Sequence, residues 1–356
     1  MEKRKILIGA VIALVLIFIL ITPLIIQETN YYLGKPKRHS ERGIYITSTV
    51  AQMPKWFGEL RTGAKLANIN TLVIDVKPLI SKSVLKAAQN HQLYTYVATP
   101  DAWLTKLCTD LHAEGFIVSA RMPVFKDDWL AIYRPDLALE YRDRKGGRWL
   151  NPYKEEARLY NQLIAEVAAA SGVDEVQFDY IRFPAEGNMD AVAFSTEETK
   201  GLSRVDMICK FLSDVKDHIG RKNVSLAVDI FGVTAWQSKQ DVVTLGQDLK
   251  KMSQYLDVVS PMLYPSHFHE GYDGYANPGS EPYYFMHAGV TKSLQILSGE
   301  AVTLVPWIQG FDLKSPNFGP DYIKAQVKAC EDAGVKNFLI WNASNRYDVS
   351  FQALTK

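Results

Sequence analysis

The chain has 356 residues, 47% of them apolar, and carries 40 Lys and Arg against 39 Asp and Glu for a formal net charge of +1. That is enough apolar material for at least one large core, and the balanced charge gives no electrostatic footprint for a nucleic-acid partner. Cys108, Cys209 and Cys330 are widely spaced without a C-x-x-C pair, which argues against a disulfide framework or a zinc cluster and leaves them as small buried hydrophobes.

In chain order, Glu2-Lys3-Arg4-Lys5 precedes ILIGAVIALVLIFILITPLII, residues 6–26, a run of 21 residues without a charge. As a helix it measures about 31 Å, close to one hydrocarbon thickness. Residues 1–26 therefore read as a membrane anchor or an uncleaved signal, in contact with the lipid bilayer through 6–26. The run is longer than a usual signal core and no A-x-A pattern follows it. Lys3, Arg4 and Lys5 adjoin the run more closely than Lys35, Lys37, Arg38 and Arg42, which leans toward an inside N-terminus. The expected location is the cell membrane, single-pass, with the folded part on the extracytoplasmic side. Residues 27–41 read as a linker.

From residue 42 onward one grammar repeats, a short β-branched strand followed by a stretch of helical composition. Strands are expected at 43–48, 70–76, 116–122, 173–180, 224–230, 256–263, 302–309 and 336–342, with helices among the intervening segments at 153–171, 203–219 and 320–333. Eight such units predict an α/β fold, a (β/α)8 TIM barrel over 42–356 behind an N-terminal transmembrane helix. A doubly wound sheet is the competing architecture, but no Gly-rich turn follows the first strand. Residues 78–96 read as a hairpin-like or helical excursion. The segment 264–291, rich in Gly, Pro and aromatic residues, reads as a long loop suited to covering a cleft.

Period-two alternation gives the polar residues a direction. If Asp179 points into the barrel, so does Gln177; the same parity turns Asp229 and Ala227 inward, with Arg121 and Asp75 on earlier strands and Trp307 and Gln309 on the seventh. These residues collect at the C-terminal ends of the strands, where (β/α)8 barrels carry their chemistry. Asp179 and Asp229 end adjacent strands and are the candidate catalytic pair, one to protonate a leaving oxygen and the other to attack or to activate water. Asp75, Arg121 and Arg182 are charged candidates for substrate binding, Asp75 with Lys77 as a possible partner. Tyr180, Trp236, Tyr264, Trp307 and Trp341 offer ring faces for a sugar, and His267 and Gln309 complete the set. His267-x-His269 lacks the companions of a metal site, so neither metal nor cofactor is expected.

The strings RGIYIT at 42–47, LVIDVK at 72–77, WLNPY at 149–153, VDEVQFDYIRFP at 173–184, VSPMLYPSHF at 259–268 and VPWIQGF at 305–311 together resemble the DUF4015 family of glycoside hydrolases. The resemblance covers roughly residues 42–345. It implies a barrel related to (β/α)8 glycosidases, with Asp179 at the nucleophile position and Asp229 at the acid/base position. The α-amylase pattern differs in carrying Glu in place of Asp229 and Arg in place of Gln177. The expected activity is that of a glycoside hydrolase or transglycosidase on extracellular or cell-envelope polysaccharide, a cell-wall glycan being the partner. A non-catalytic carbohydrate-binding barrel is the alternative, and a metal-dependent deacetylase comes third.

Overall fold

Short β-branched runs form the strands of one parallel sheet in this computed structural model, which describes residues 41–140, 148–185, 192, 194, 196–220 and 223–355. The strands are β1 Arg42–Ile46, β2 Thr71–Asp75, β3 Ile117–Pro123, β4 Glu175–Asp179, β5 Ser225–Phe231, β6 Val258–Met262, β7 Thr303–Leu304, β8 Trp307–Gln309 and β9 Phe338–Trp341. Each of β1 to β5 pairs in parallel with the next, β5 pairs with β6, and β9 returns to β1 and closes the barrel. β7 and β8 occupy a single barrel position in two pieces. Pro306 has no amide hydrogen for the ladder, so pairing with β6 lapses there, while its carbonyl still accepts from Leu339 N at 2.9 Å. Eight barrel positions result.

Alternation sorts the side chains as the sequence predicts. Leu72, Ile74, Val118, Ala120, Val176, Phe178, Leu226 and Val228 face the surrounding helices, whereas Tyr45, Val73, Ala227, Val258, Val305, Trp307 and Leu339 form a separate cluster inside the barrel. Burying each large aliphatic or aromatic side chain contributes about 1.5–3 kcal/mol, so a one-residue slip of any strand would be costly. The helices begin and end on local chemistry. Arg204–Ile219 starts at Ser203, whose hydroxyl accepts from Asp206 N, and Glu155–Ala170 carries two glutamates in its first turn and hands over to β4 at Gly172, φ +96°.

Of the two forms expected for residues 78–96, the helical one is present, as Lys77–Ile80, Lys82–Gln89 and a 3-10 turn at Leu93–Thr95. Two expectations need correction. Only 264–281 of the expected long loop is irregular. From Pro282 the chain is the helix Pro282–Ile296, started by a proline whose missing N–H costs nothing in a first turn and buried along Phe285, Met286, Gly289 and Val290. The second correction concerns the membrane. No helix among the described residues is long and apolar enough to cross one, and the run 6–26 and residues 27–40 of the linker lie outside the described residues. A charge-free run of sufficient length satisfies a hydropathy criterion without specifying a packed element. The described fold is the (β/α)8 barrel without a transmembrane helix. The bilayer contact, single-pass topology and extracytoplasmic placement expected from the run 6–26 are therefore supported by no described helix.

Candidate functional site

Arg121 stands at the centre of the C-terminal mouth, 4% exposed, because β3 ends between β2 and β4 with Arg121 in register with Asp75 on one side and Gln177 on the other. Its Nη1 donates to Asp75 Oδ1 and its Nη2 to Asp179 Oδ2, while Nε lies 3.8 Å from Asp229 Oδ2, beyond hydrogen-bond reach. The second oxygen of Asp75 accepts from the Tyr45 hydroxyl. Tyr45 and Trp341 stack with centroids 4.0 Å apart, and the guanidinium lies 5.3 and 4.9 Å from their rings. The second oxygen of Asp179 accepts from Tyr180 N at 2.6 Å. That amide belongs to a residue at φ +51°, a left-handed backbone that a tyrosine adopts only when its surroundings impose it.

Asp229 is treated differently from Asp179. It is 1% exposed, and its Oδ1 accepts from Trp307 Nε1 at 2.6 Å and from Gln177 Nε2 at 2.7 Å. Burial, with the nearby charge of Asp179, pushes the Asp229 carboxyl well above the usual carboxylate range, against the opposing pull of Arg121 and the two hydrogen bonds. Burial also works against the charge of Arg121, but Asp179, Asp75, Tyr45 and Asp229 outweigh it and hold the guanidinium protonated. Burial raises Tyr45, so its phenol remains a donor to Asp75. His267 is lowered by burial and then by Lys314, which leaves a neutral imidazole at the rim.

Above this cluster opens a cleft of about 460 Å³. Of the predicted residues, Arg121, Asp179, Tyr180, Asp229, Tyr264, His267, Trp307 and Trp341 line it. Asp75 stands behind Arg121 and pairs with it and with Tyr45, not with Lys77, whose Nζ reaches Asp127 at 2.7 Å. Trp307 is 1% exposed and turns its indole N–H to Asp229.

Three expected binding residues serve elsewhere. Arg182 is sandwiched near Phe231 and Trp149, 4.2 and 4.8 Å from their centroids, and donates to Phe183 O. Trp236 donates to Asp273 and packs its edge on Phe268, outside the cleft lining. Gln309 joins two loops, accepting from Ser266 N at 3.1 Å and donating to Ser315 Oγ and Phe311 O.

Sequence reasoning missed Tyr45, although its parity in RGIYIT was a usable signal, and it did not give Gln177 its role as a donor to Asp229. It also missed Phe231, Gly232, Met262 and Phe268 in the lining. A Cβ at Gly232 would sit 2.5 Å from Met262 O, so the close passage of β5's exit against β6 requires glycine. His267 lines the cleft while His269 turns to Glu270 O and the Tyr272 ring, so the two imidazoles do not converge. Among the described residues no group of three or more His, Cys, Asp or Glu is arranged to hold a metal ion.

Solved structures share the barrel. A β-galactosidase from Rahnella sp. R3 superposes with a TM-score of 0.57 at 14% identity, over 86% of this chain and 51% of that one. The spore cortex-lytic enzyme SleL of Bacillus megaterium gives 0.54 at 10% identity, over 90% and 74%. A chitinase from Chromobacterium violaceum gives 0.52 at 9% identity, over 89% and 98%. At these identities the likeness is one of fold, and the chain spans about half the length of the β-galactosidase. No curated protein matches this chain. The family described as "Putative glycosyl hydrolase domain", DUF4015, matches residues 43–347, and the chain belongs to that family, a carbohydrate-active hydrolase in general terms.

Proposed function

We propose that this chain is a glycoside hydrolase or transglycosidase acting on polysaccharide, cell-wall glycan included, with Asp229 as proton donor, Asp179 as attacking carboxylate and the barrel of residues 42–356 as one working domain. One observation carries the reading. Two carboxyl groups approach the same guanidinium, yet Asp179 is ion-paired to Arg121 while Asp229 is held 3.8 Å off in a fully buried setting that pushes its carboxyl well above the usual carboxylate range. Glycosidic cleavage needs that inequality, one group neutral to give a proton and one charged to stabilise or attack the anomeric carbon.

Asp229 gives its proton to the glycosidic oxygen as the C–O bond breaks, and Asp179 adds to the anomeric carbon. Asp229, now a carboxylate, takes a proton from the water or sugar hydroxyl that displaces Asp179. As Asp179 loses charge in the covalent step its pairing with Arg121 weakens, and Asp75 with Tyr45 keeps the guanidinium in place. Trp341, Tyr180, Tyr264 and Phe231 supply apolar faces suited to sugar rings.

The test is release of new reducing ends by the full chain from a panel of neutral and N-acetylated polysaccharides and cell-wall fractions, with binding measured on the same samples. Cleavage of at least one is expected. A non-catalytic carbohydrate-binding barrel is the second reading, favoured by the engagement of both oxygens of Asp179, one by Arg121 and one by Tyr180 N. Tight binding without cleavage across the panel would select it.

A further inference from the structure

Oδ1 of Asp229 receives two donors, and their arrangement decides which of its oxygens can carry a hydrogen. The indole nitrogen of Trp307 can only donate, and it does so at 2.6 Å. Gln177 Nε2 donates to the same oxygen at 2.7 Å, and the oxygen of that amide lies 3.2 Å from the Ser119 hydroxyl, which also reaches Glu175 Oε1 at 2.7 Å. Two donors occupy both lone-pair directions of Oδ1, so the hydrogen is left to Oδ2. The neighbour of Oδ2 is Arg121 Nε at 3.8 Å, a group that only donates and cannot take that hydrogen.

We propose that Gln177 and Trp307 are positioning residues that saturate Oδ1 of Asp229, confine its hydrogen to Oδ2, and so select the oxygen from which a leaving group is protonated. The use of that hydrogen rests on the glycosidase reading above; its position does not. Alternation explains how the sequence achieves this. Gln177 sits two residues before Asp179 on β4, inside the barrel, and Trp307 opens β8 after the break at Pro306, so both reach Asp229 from flanking directions.

The experiment is an infrared titration of the full chain, following the carbonyl stretch of neutral Asp229, identified as the band missing from Asp229→Asn. Wild type is compared with Gln177→Met and Trp307→Phe, each of which removes one donor. The ionisable groups that face Asp229, namely Arg121 from β3, Asp179 from β4 and Tyr264 from the loop after β6, are unchanged in all three. Both hydrogen bonds favour the carboxylate, so losing either should move the midpoint upward by about one pH unit. The band itself should move to higher frequency as its C=O loses a donor. Gln177→Met, close in shape to the original, carries the test if circular dichroism shows that Trp307→Phe does not fold. No band assignable to Asp229, or an unchanged midpoint and frequency in the folded variants, would overturn the proposal. No glycan is needed, so a failure of the glycosidase reading leaves this result standing.

Discussion

Arg121 meets three carboxyl groups with one charge, and the residue scale is decided by that shortage. Removing its guanidinium while keeping a long apolar stem, as in Arg121→Met, leaves Asp75 and Asp179 without their cation in a buried setting. The expected loss is about 3–5 kcal/mol, read as a fall in the urea midpoint at unchanged slope. Lysine should not restore it, since one ammonium cannot present the fork that reaches Asp75 and Asp179 together. Asp229 gives a signed pH dependence. Its folded pKa lies above the unfolded value of about 3.9, so between the two values the folded chain holds a proton that the unfolded chain has released, and stability falls as pH rises through that window. Asp229→Asn should flatten this slope and be more stable than wild type at neutral pH, whereas equal slopes would show that Asp229 is not held protonated. Parity alone made Asp179, Asp229, Arg121 and Trp307 legible, because within a strand the period of two is strict. It gave no direction to Arg182 and Trp236, which lie past the strand ends where loop geometry sets the side chain. Gln309 kept its parity but was claimed by the loops above it.

Elements meet at the mouth through a few enforced contacts. Lys77 follows β2 and is buried with Asp127, the residue that caps the helix Asp128–Tyr133 by accepting from Leu130 N, while Asn161 accepts from the same ammonium at 2.8 Å. Burial lowers its pKa in spite of Asp127, so the pair holds structure together at some electrostatic cost. Lys77→Met should therefore lower stability by about 3–5 kcal/mol by leaving Asp127 unpaired, measured by equilibrium denaturation, and Lys77→Met with Asp127→Leu should recover much of it. Gly232→Ala is expected to cost about 1–3 kcal/mol, because the added methyl meets the Met262 carbonyl and must push β5 and β6 apart at the cleft. A melting temperature equal to wild type would contradict that close approach. The break of the seventh strand at Pro306 was written in VTLVPWIQ. The helix Pro282–Ile296 was harder to see, since its aromatic first turn resembles the loop that precedes it and only the buried face formed by Phe285, Met286, Gly289 and Val290 distinguishes it.

Over the whole molecule, eight repeats of strand and helix were sufficient to predict closure, since a sheet with every strand buried on both faces has no place for an edge. The pairing of β9 with β1 supplies that closure. The N-terminal expectation rested on hydropathy and length, which describe a solvent preference rather than a packed element, and no described helix carries it. The central claim is that Asp179 and Asp229 together break a glycosidic bond, and it is tested most directly by measuring turnover and binding separately on one glycan that wild type cleaves. Asp179→Asn and Asp229→Asn should each lose about 10²–10⁴-fold or more in turnover with binding changed only a few-fold, and Asp229→Asn should lose less on a glycoside whose leaving group needs little protonation. Wild-type turnover in either variant would contradict the account.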